Sequence, residues 1–149
     1  MSGDSSYIGR WISILYRYRQ NYLGKSLDSY NIGSGQYFFL LVLSKNDGIS
    51  QEKLSDFLKI DKATTAKAIK KLEDEGYVAR NVDAMDKRAY QVILTQKGWD
   101  AIPVIDKFIR DWEKLVTNDF SESESVLIEG LLERMSWNAC QIKKIKLGE

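Results

Sequence analysis

Apolar positions recur every three or four residues along most of this chain, and they outline a run of helices. From Ile8 to Leu27, the residues Ile8, Trp11, Ile12, Leu15, Tyr22 and Leu23 fall at helical spacings with Arg10, Arg17, Arg19 and Gln20 between them, which predicts a first amphipathic helix. Tyr30-Asn31-Ile32-Gly33 interrupts it. Ser34 is then expected to cap a second helix, Gly35 to Lys45, apolar nearly all round and therefore buried. Asn46-Asp47-Gly48 ends that helix with residues that tolerate left-handed backbone.

The next stretch changes character. Ser50 is a good N-cap, Glu52 suits the positive end of a helix dipole, and Leu54, Phe57 and Leu58 form a short apolar face. A brief turn over Lys59-Ile60-Asp61 leads into a helix from Lys62 to Glu75 that Gly76 closes, so the two together predict a helix-turn-helix. Two alternating runs, Tyr77 to Val82 and Ala89 to Leu94, then flank a charged loop and predict a hairpin, which behind a helix-turn-helix is a wing. A long helix follows from Gln96 to about Asn118, kinked at Pro103, the sole proline. Ser121 and Glu124 have the spacing of a capping box and open a last amphipathic helix through Ile128, Leu131, Leu132, Met135 and Ile142.

The fold class this implies is mainly α with a small β-hairpin wing: a winged helix-turn-helix over about residues 33–94 with a helical dimerisation platform over about 5–28 and 96–147, all in one domain of residues 1–149. The length suits one domain with a real core.

Charge and composition narrow the chemistry. Net charge is only +1, so a nucleic-acid partner would have to be met by local patches. Histidine is absent and Cys140 is the sole cysteine. That removes Ser-His-Asp and Cys-His catalysis, the common zinc sets and any disulfide within one chain. With no glycine-rich phosphate loop either, no enzyme, metal or cofactor is expected. Cys140 reads as a structural thiol, with a bridge across a dimer axis left open. The polar start of the chain lacks a signal-peptide pattern. Its longest strongly apolar run, Tyr37 to Leu43, falls far short of the ~20 residues that span a bilayer, so a soluble cytoplasmic protein is expected, with no membrane partner.

On the helix from Lys62 to Glu75, Thr65, Ala68, Ile69 and Leu72 gather on one side, and Ala63, Thr64, Lys67, Lys70 and Lys71 on the other. A helix entering the major groove needs that division. Small Ala63 and Thr64 allow close approach to base edges, and lysines reach phosphates or guanine. A merely solvated lysine face would look the same. The wing tip, with Asp86, Lys87 and Arg88, adds cations suited to a narrow minor groove, and Ser50, Gln51 and Lys62 complete the candidate DNA-binding set.

In these segments the chain resembles the MarR family of transcriptional regulators. The likeness is densest in Ser50-Gln51-Glu52-Lys53-Leu54, Asp61-Lys62-Ala63-Thr64-Thr65, Leu72 through Arg80, Asp83-Ala84-Met85-Asp86-Lys87-Arg88 and Leu94-Thr95-Gln96-Lys97-Gly98. Asp83, Asp86 and Arg88 fit the family's wing pattern, whereas Met85 stands where an arginine is usual. The resemblance implies a triangular homodimer that binds double-stranded DNA at a pseudo-palindromic operator, usually as a repressor. It also implies release by a small aromatic or phenolic ligand bound between platform and winged domain. Trp11, Tyr16, Arg17, Tyr30, Tyr37 and Phe38 are the candidate lining, since an arginine beside aromatics suits an aromatic carboxylate. The same aromatics at helical spacing would also serve as core or dimer packing. The alternative function is a winged helix turned to protein–protein contact without specific DNA binding, which the near-zero net charge and Met85 would suit.

Overall fold

A computed structural model describes residues 7–82 and 90–146, with side chains as far as Ile142. In order they form α1 (Ile8–Leu27), a 3-10 turn (Asp28–Tyr30), α2 (Tyr37–Lys45), α3 (Gln51–Leu58), α4 (Lys62–Asp74), β1 (Val78–Val82), β2 (Tyr90–Leu94), α5 (Gln96–Val116) and α6 (Glu122–Lys146). Packing divides the chain into two units, one ending at Trp112 and the other starting at Glu113.

The first unit holds the core. Tyr37, Phe39, Leu40 and Leu43 of α2 are sealed from solvent among Leu23 and Leu27 of α1, Leu54 of α3, Ile69 and Leu72 of α4, Val92 of β2 and Ile105 of α5. The helix that is apolar nearly all round is the one the others cover, as its lack of a polar face requires. It starts later than expected. Gln36, not Ser34, occupies its N-cap and supplies no side-chain bond. Ser34 sits inside a turn closed by Gln36 N–H to the Gly33 carbonyl at 3.0 Å, and its own carbonyl accepts from Gln20 Nε2 of α1 at 3.2 Å. Tertiary anchoring to α1 has overridden the local capping signal.

α3 and α4 make the helix-turn-helix. Ser50 Oγ accepts the Lys53 N–H at 3.2 Å, the N-cap bond its sequence predicts. The turn between the helices is made by Lys59 at φ 56°, while the Ile60 N–H donates to the Ser55 carbonyl at 3.1 Å. A left-handed lysine costs roughly 1 kcal/mol relative to ordinary backbone, and the burial of Leu54 and Ser55 beside it holds the conformation in place. α4 closes at Gly76, φ 80°, where the Tyr77 N–H returns to the Leu72 carbonyl at 2.9 Å.

β1 and β2 pair antiparallel with Val78 opposite Leu94, Arg80 opposite Val92 and Val82 opposite Tyr90. The segment before α3 adds a short third edge that the sequence pattern does not announce. Ser50 bridges Gln91, and the Val92 N–H donates to the Ile49 carbonyl at 2.9 Å. The start of the helix-turn-helix is thereby tied to the returning strand of the wing.

α5 runs through Pro103 as one helix. At its start Gly98 lies so close to Tyr77 that a Cβ there would stand 2.2 Å from the Tyr77 carbonyl oxygen. In the second unit the capping box forms as expected: the Ser121 N–H donates to Glu124 Oε1 at 3.0 Å, and the Glu124 N–H donates to Ser121 Oγ at 3.1 Å. α6 then presents Ile128, Leu131, Leu132, Met135 and Ile142, all exposed. Among the described residues no helix is long and apolar enough to cross a membrane.

Candidate nucleic-acid interface

The division of α4 predicted from its spacing is the one observed. Thr65, Ala68, Ile69 and Leu72 are buried, and Lys62, Ala63, Thr64, Lys67, Lys70 and Lys71 are exposed. The apolar back seats the helix on the core and turns the other side to solvent. At its N-terminus Asp61 accepts from Thr64 twice, from the backbone N–H at 2.8 Å and from the hydroxyl at 2.7 Å. These bonds hold the Asp61 carboxyl below the usual aspartate range, so it stays ionised. Thr65 turns the other way, its hydroxyl donating at 2.9 Å to the Asp61 carbonyl.

The cations of this surface are not equivalent. Lys62 pairs with Glu52 at 3.2 Å, and Lys70 pairs with Asp74 at 2.7 Å. Among the described residues no carboxylate lies within ion-pair distance of Lys67. Lys71 has no ion pair there either, but it lines a hollow of about 210 Å³ with Asp28, Asn31 and Glu75, toward the end of α1. Ser50 is engaged as the α3 cap, and Gln51 is half-buried with its Oε1 lacking a hydrogen-bond partner among the described residues. Asp86, Lys87 and Arg88, together with Met85, lie outside the described residues.

One joint was not visible in the sequence. Arg80 of β1 grips Glu73 of α4 with two bonds, Nε to Oε2 at 3.1 Å and Nη2 to Oε1 at 2.9 Å. Its guanidinium also lies 5.5 Å from the centre of the Tyr90 ring on β2. The pair holds the Glu73 carboxyl below its ordinary range. The last turn of α4 and both strands of the wing therefore meet at a single side chain.

The six residues considered as a ligand lining do not all converge. Tyr37 and Phe38 stack with ring centres 3.9 Å apart, and the arginine over them is Arg19, at 5.6 and 5.2 Å, rather than Arg17. Gln20 donates to the Tyr16 hydroxyl at 3.4 Å, and Tyr16 is near enough to Tyr37 to act on its phenol electrostatically. Burial pushes the Tyr37 phenol well above its ordinary range, opposed in part by Arg19. The phenol thus remains a protonated donor, and it has no hydrogen-bond partner among the described residues. Arg17 instead lines an open hollow with Ile14, Tyr18 and Asn21. Tyr30 packs edge-on against Phe108, and its carbonyl accepts from the Tyr77 hydroxyl. Trp11 is half-exposed beside Arg10. Arg17 and Arg19 are both interleaved among the apolar positions of α1, so spacing alone does not select between them.

Comparison with known proteins agrees with this architecture. The MarR family profile matches residues 32–90, the span from the end of the 3-10 turn into the wing. The HTH-type transcriptional regulator BilQ of Clostridioides difficile (strain CD3) is 32% identical over 103 residues, covering 69% of this chain and 70% of that protein. The crystal structure of a MarR transcriptional regulator from Methanosarcina mazei Go1 is 49% identical with a TM-score of 0.85, over 91% of this chain and 97% of the other. A MarR family regulator from Listeria monocytogenes, solved in complex with a 26mer DNA, is 28% identical with a TM-score of 0.86, over 97% of both chains. With a winged helix-turn-helix in its fold and relatives matched across two thirds or more of their length, this chain belongs to the MarR family of transcriptional regulators, which are not enzymes.

Proposed function

We propose that the chain acts as a homodimeric repressor that sets α4 of each protomer into the major groove of a pseudo-palindromic operator, with the wing against the adjacent minor groove. The observation that carries this reading is the two-sided α4: a buried apolar back, and an exposed front on which small Ala63 and Thr64 lie one turn from Lys67, which has no ion pair among the described residues. Small residues admit the helix to the base edges, and the cation finds phosphate. Ser50 and Gln51 at the start of α3, and Lys62 at the start of α4, would meet the backbone beside it. Lys87 and Arg88 would extend that contact with Asp86 orienting them, and Lys71 and the Asp74-paired Lys70 would act at its edge. A neighbour in fold was solved bound to a 26mer DNA, which supports the same partner here.

The homodimer is supported by apolar surface that a lone protomer leaves wet. α6 exposes Ile128, Leu131, Leu132, Met135 and Ile142 along one stripe, and α1 exposes Trp11, Ile12 and Leu15. These segments, about residues 5–28 and 96–147, form the platform in this reading. Two-fold symmetry then makes the operator a pseudo-palindrome with half-sites about one DNA turn apart. The ligand in this reading is a small aromatic or phenolic anion. Tyr16 and Phe38, with Arg19 over the Phe38 ring and Tyr37 buried behind it, offer it aromatic contact and a cation.

The test is a salt-dependent gel shift with the purified full chain and duplex DNA from around its own gene, read beside its mass in solution. A dimer that binds one fragment saturably and weakens as salt rises is expected. A monomer, or equal binding to every fragment at low salt, would overturn the reading and favour a winged helix that contacts protein.

A further inference from the structure

Thr64 is exposed on the side of α4 that faces away from the core, yet its hydroxyl is not free to choose its role. A hydroxyl carries one hydrogen and two lone pairs, and an ionised carboxylate can only accept. The 2.7 Å contact between Thr64 Oγ1 and Asp61 Oδ2 must therefore contain the hydroxyl hydrogen. The second carboxylate oxygen is occupied as well, by the Thr64 N–H at 2.8 Å. What remains on the outward side of Thr64 is two lone pairs and a methyl group.

We propose that Asp61 sets the polarity of Thr64, so that α4 meets a base pair at this position as a hydrogen-bond acceptor with a methyl beside it and selects A·T over G·C. This rests on the reading that α4 enters the major groove. There, adenine N6 and cytosine N4 carry donors, guanine presents only the acceptors N7 and O6, and thymine carries a methyl. An acceptor-plus-methyl side chain matches both partners of an A·T pair: the adenine amino group by a hydrogen bond, and the thymine methyl by apolar contact. A G·C pair offers a donor only at cytosine N4 and no methyl beside it, and guanine sets its own lone pairs against those of Thr64. Rotating the hydroxyl to donate to guanine would break its bond to Asp61, and a bond to an ionised group is roughly twice as strong as a neutral one. Asp61 is thus a positioning residue, and it acts on specificity without touching DNA.

The experiment is selection from a random duplex pool followed by sequencing, run with the full-length parent and with Asp61→Asn, Thr64→Val and Lys67→Ala. Asparagine also caps helices well, and thermal unfolding checks that each variant folds. In Asp61→Asn the side-chain oxygen still receives the Thr64 N–H. The amide now donates to Thr64 Oγ1, which frees the hydroxyl hydrogen to point outward. The parent is expected to prefer A·T over guanine-facing G·C at one symmetric pair of positions by roughly fivefold, the value of a single neutral hydrogen bond. Asp61→Asn should move those positions toward guanine. Thr64→Val, which keeps a methyl and loses the lone pairs, should retain thymine contact with a weaker preference. If Asp61→Asn and Thr64→Val select the parental sequence while Lys67→Ala binds more weakly, the polarity proposal fails and the docking of α4 stands. If Lys67→Ala is also unchanged, or the parent selects no sequence, the docking itself fails and the proposal with it. Should Asp61→Asn not fold, Thr64→Val decides alone: an unchanged base preference overturns the proposal.

Discussion

Replacing Lys67 by alanine should weaken DNA binding through a lost counterion effect, and its size follows from the pairing of the α4 lysines. Lys67 is exposed with no carboxylate within ion-pair distance among the described residues, whereas Lys70 is matched by Asp74 at 2.7 Å. Each lysine that neutralises a DNA phosphate contributes about 0.9 to the slope of log affinity against log salt, so the two Lys67 copies of a dimer contribute about 1.8. A fourfold rise in salt, from about 50 to about 200 mM, should then narrow the gap between parent and Lys67→Ala by about tenfold. The control is the double variant Lys70→Ala, Asp74→Ala. It removes one charge of each sign and should leave the slope near the parent's. Gel shifts or fluorescence anisotropy at four or more salt concentrations give both slopes. A parental slope for Lys67→Ala, or an equal loss for the charge-neutral double variant, would refute the assignment of Lys67 as a phosphate-binding cation of this face.

Three further outcomes are expected. Gly98→Ala should destabilise the fold by about 2 kcal/mol despite the better helix propensity of alanine, because its methyl would meet the Tyr77 carbonyl at 2.2 Å and Leu94 Cδ2 at 3.0 Å. Urea unfolding reads this against Gly9→Ala, whose methyl meets nothing within 4 Å, and a neutral Gly98→Ala would disprove the packing argument. Glu73→Gln should lose about 1 kcal/mol at neutral pH, since it halves the charge of a half-buried bidentate pair. Because the hydrogen bonds from Arg80 lower the folded-state pKa of Glu73, the pair's contribution is full above the ordinary glutamate value of 4.5 and disappears as pH falls through the lowered one. Parent and Glu73→Gln should accordingly converge in stability in acid, and a gap unchanged at low pH would exclude the pair as its source. Leu131→Asp, in the exposed stripe of α6, should shift the protein from dimer to monomer in light scattering without loss of helix by circular dichroism, and a persistent dimer would place the interface elsewhere.

What could be read from the chain beforehand was whatever a local rule governs. The buried back of α4 follows from the spacing of Thr65, Ala68, Ile69 and Leu72, and the start of α6 follows from Ser121 and Glu124 three residues apart. Both are settled within a turn or two of helix, where geometry depends on sequence separation alone. The features that escaped depend on how distant segments dock. Ser34 looks like a cap but is captured by Gln20, fourteen residues earlier. Lys59 adopts the left-handed turn where no glycine marks it, inside a turn that hydrogen bonds between Ser55 and Ile60 close. Arg19 rather than Arg17 reaches the aromatic pair, a choice decided by the rotation of α1 against α2. The same distinction separates two kinds of information on α4. Which residues face outward is periodic and legible, but which lysines are already neutralised, and which way the Thr64 hydroxyl points, depends on Glu52, Asp74 and Asp61. A face that reads as a row of equivalent cations is in fact graded, and that grading is what a DNA duplex would meet.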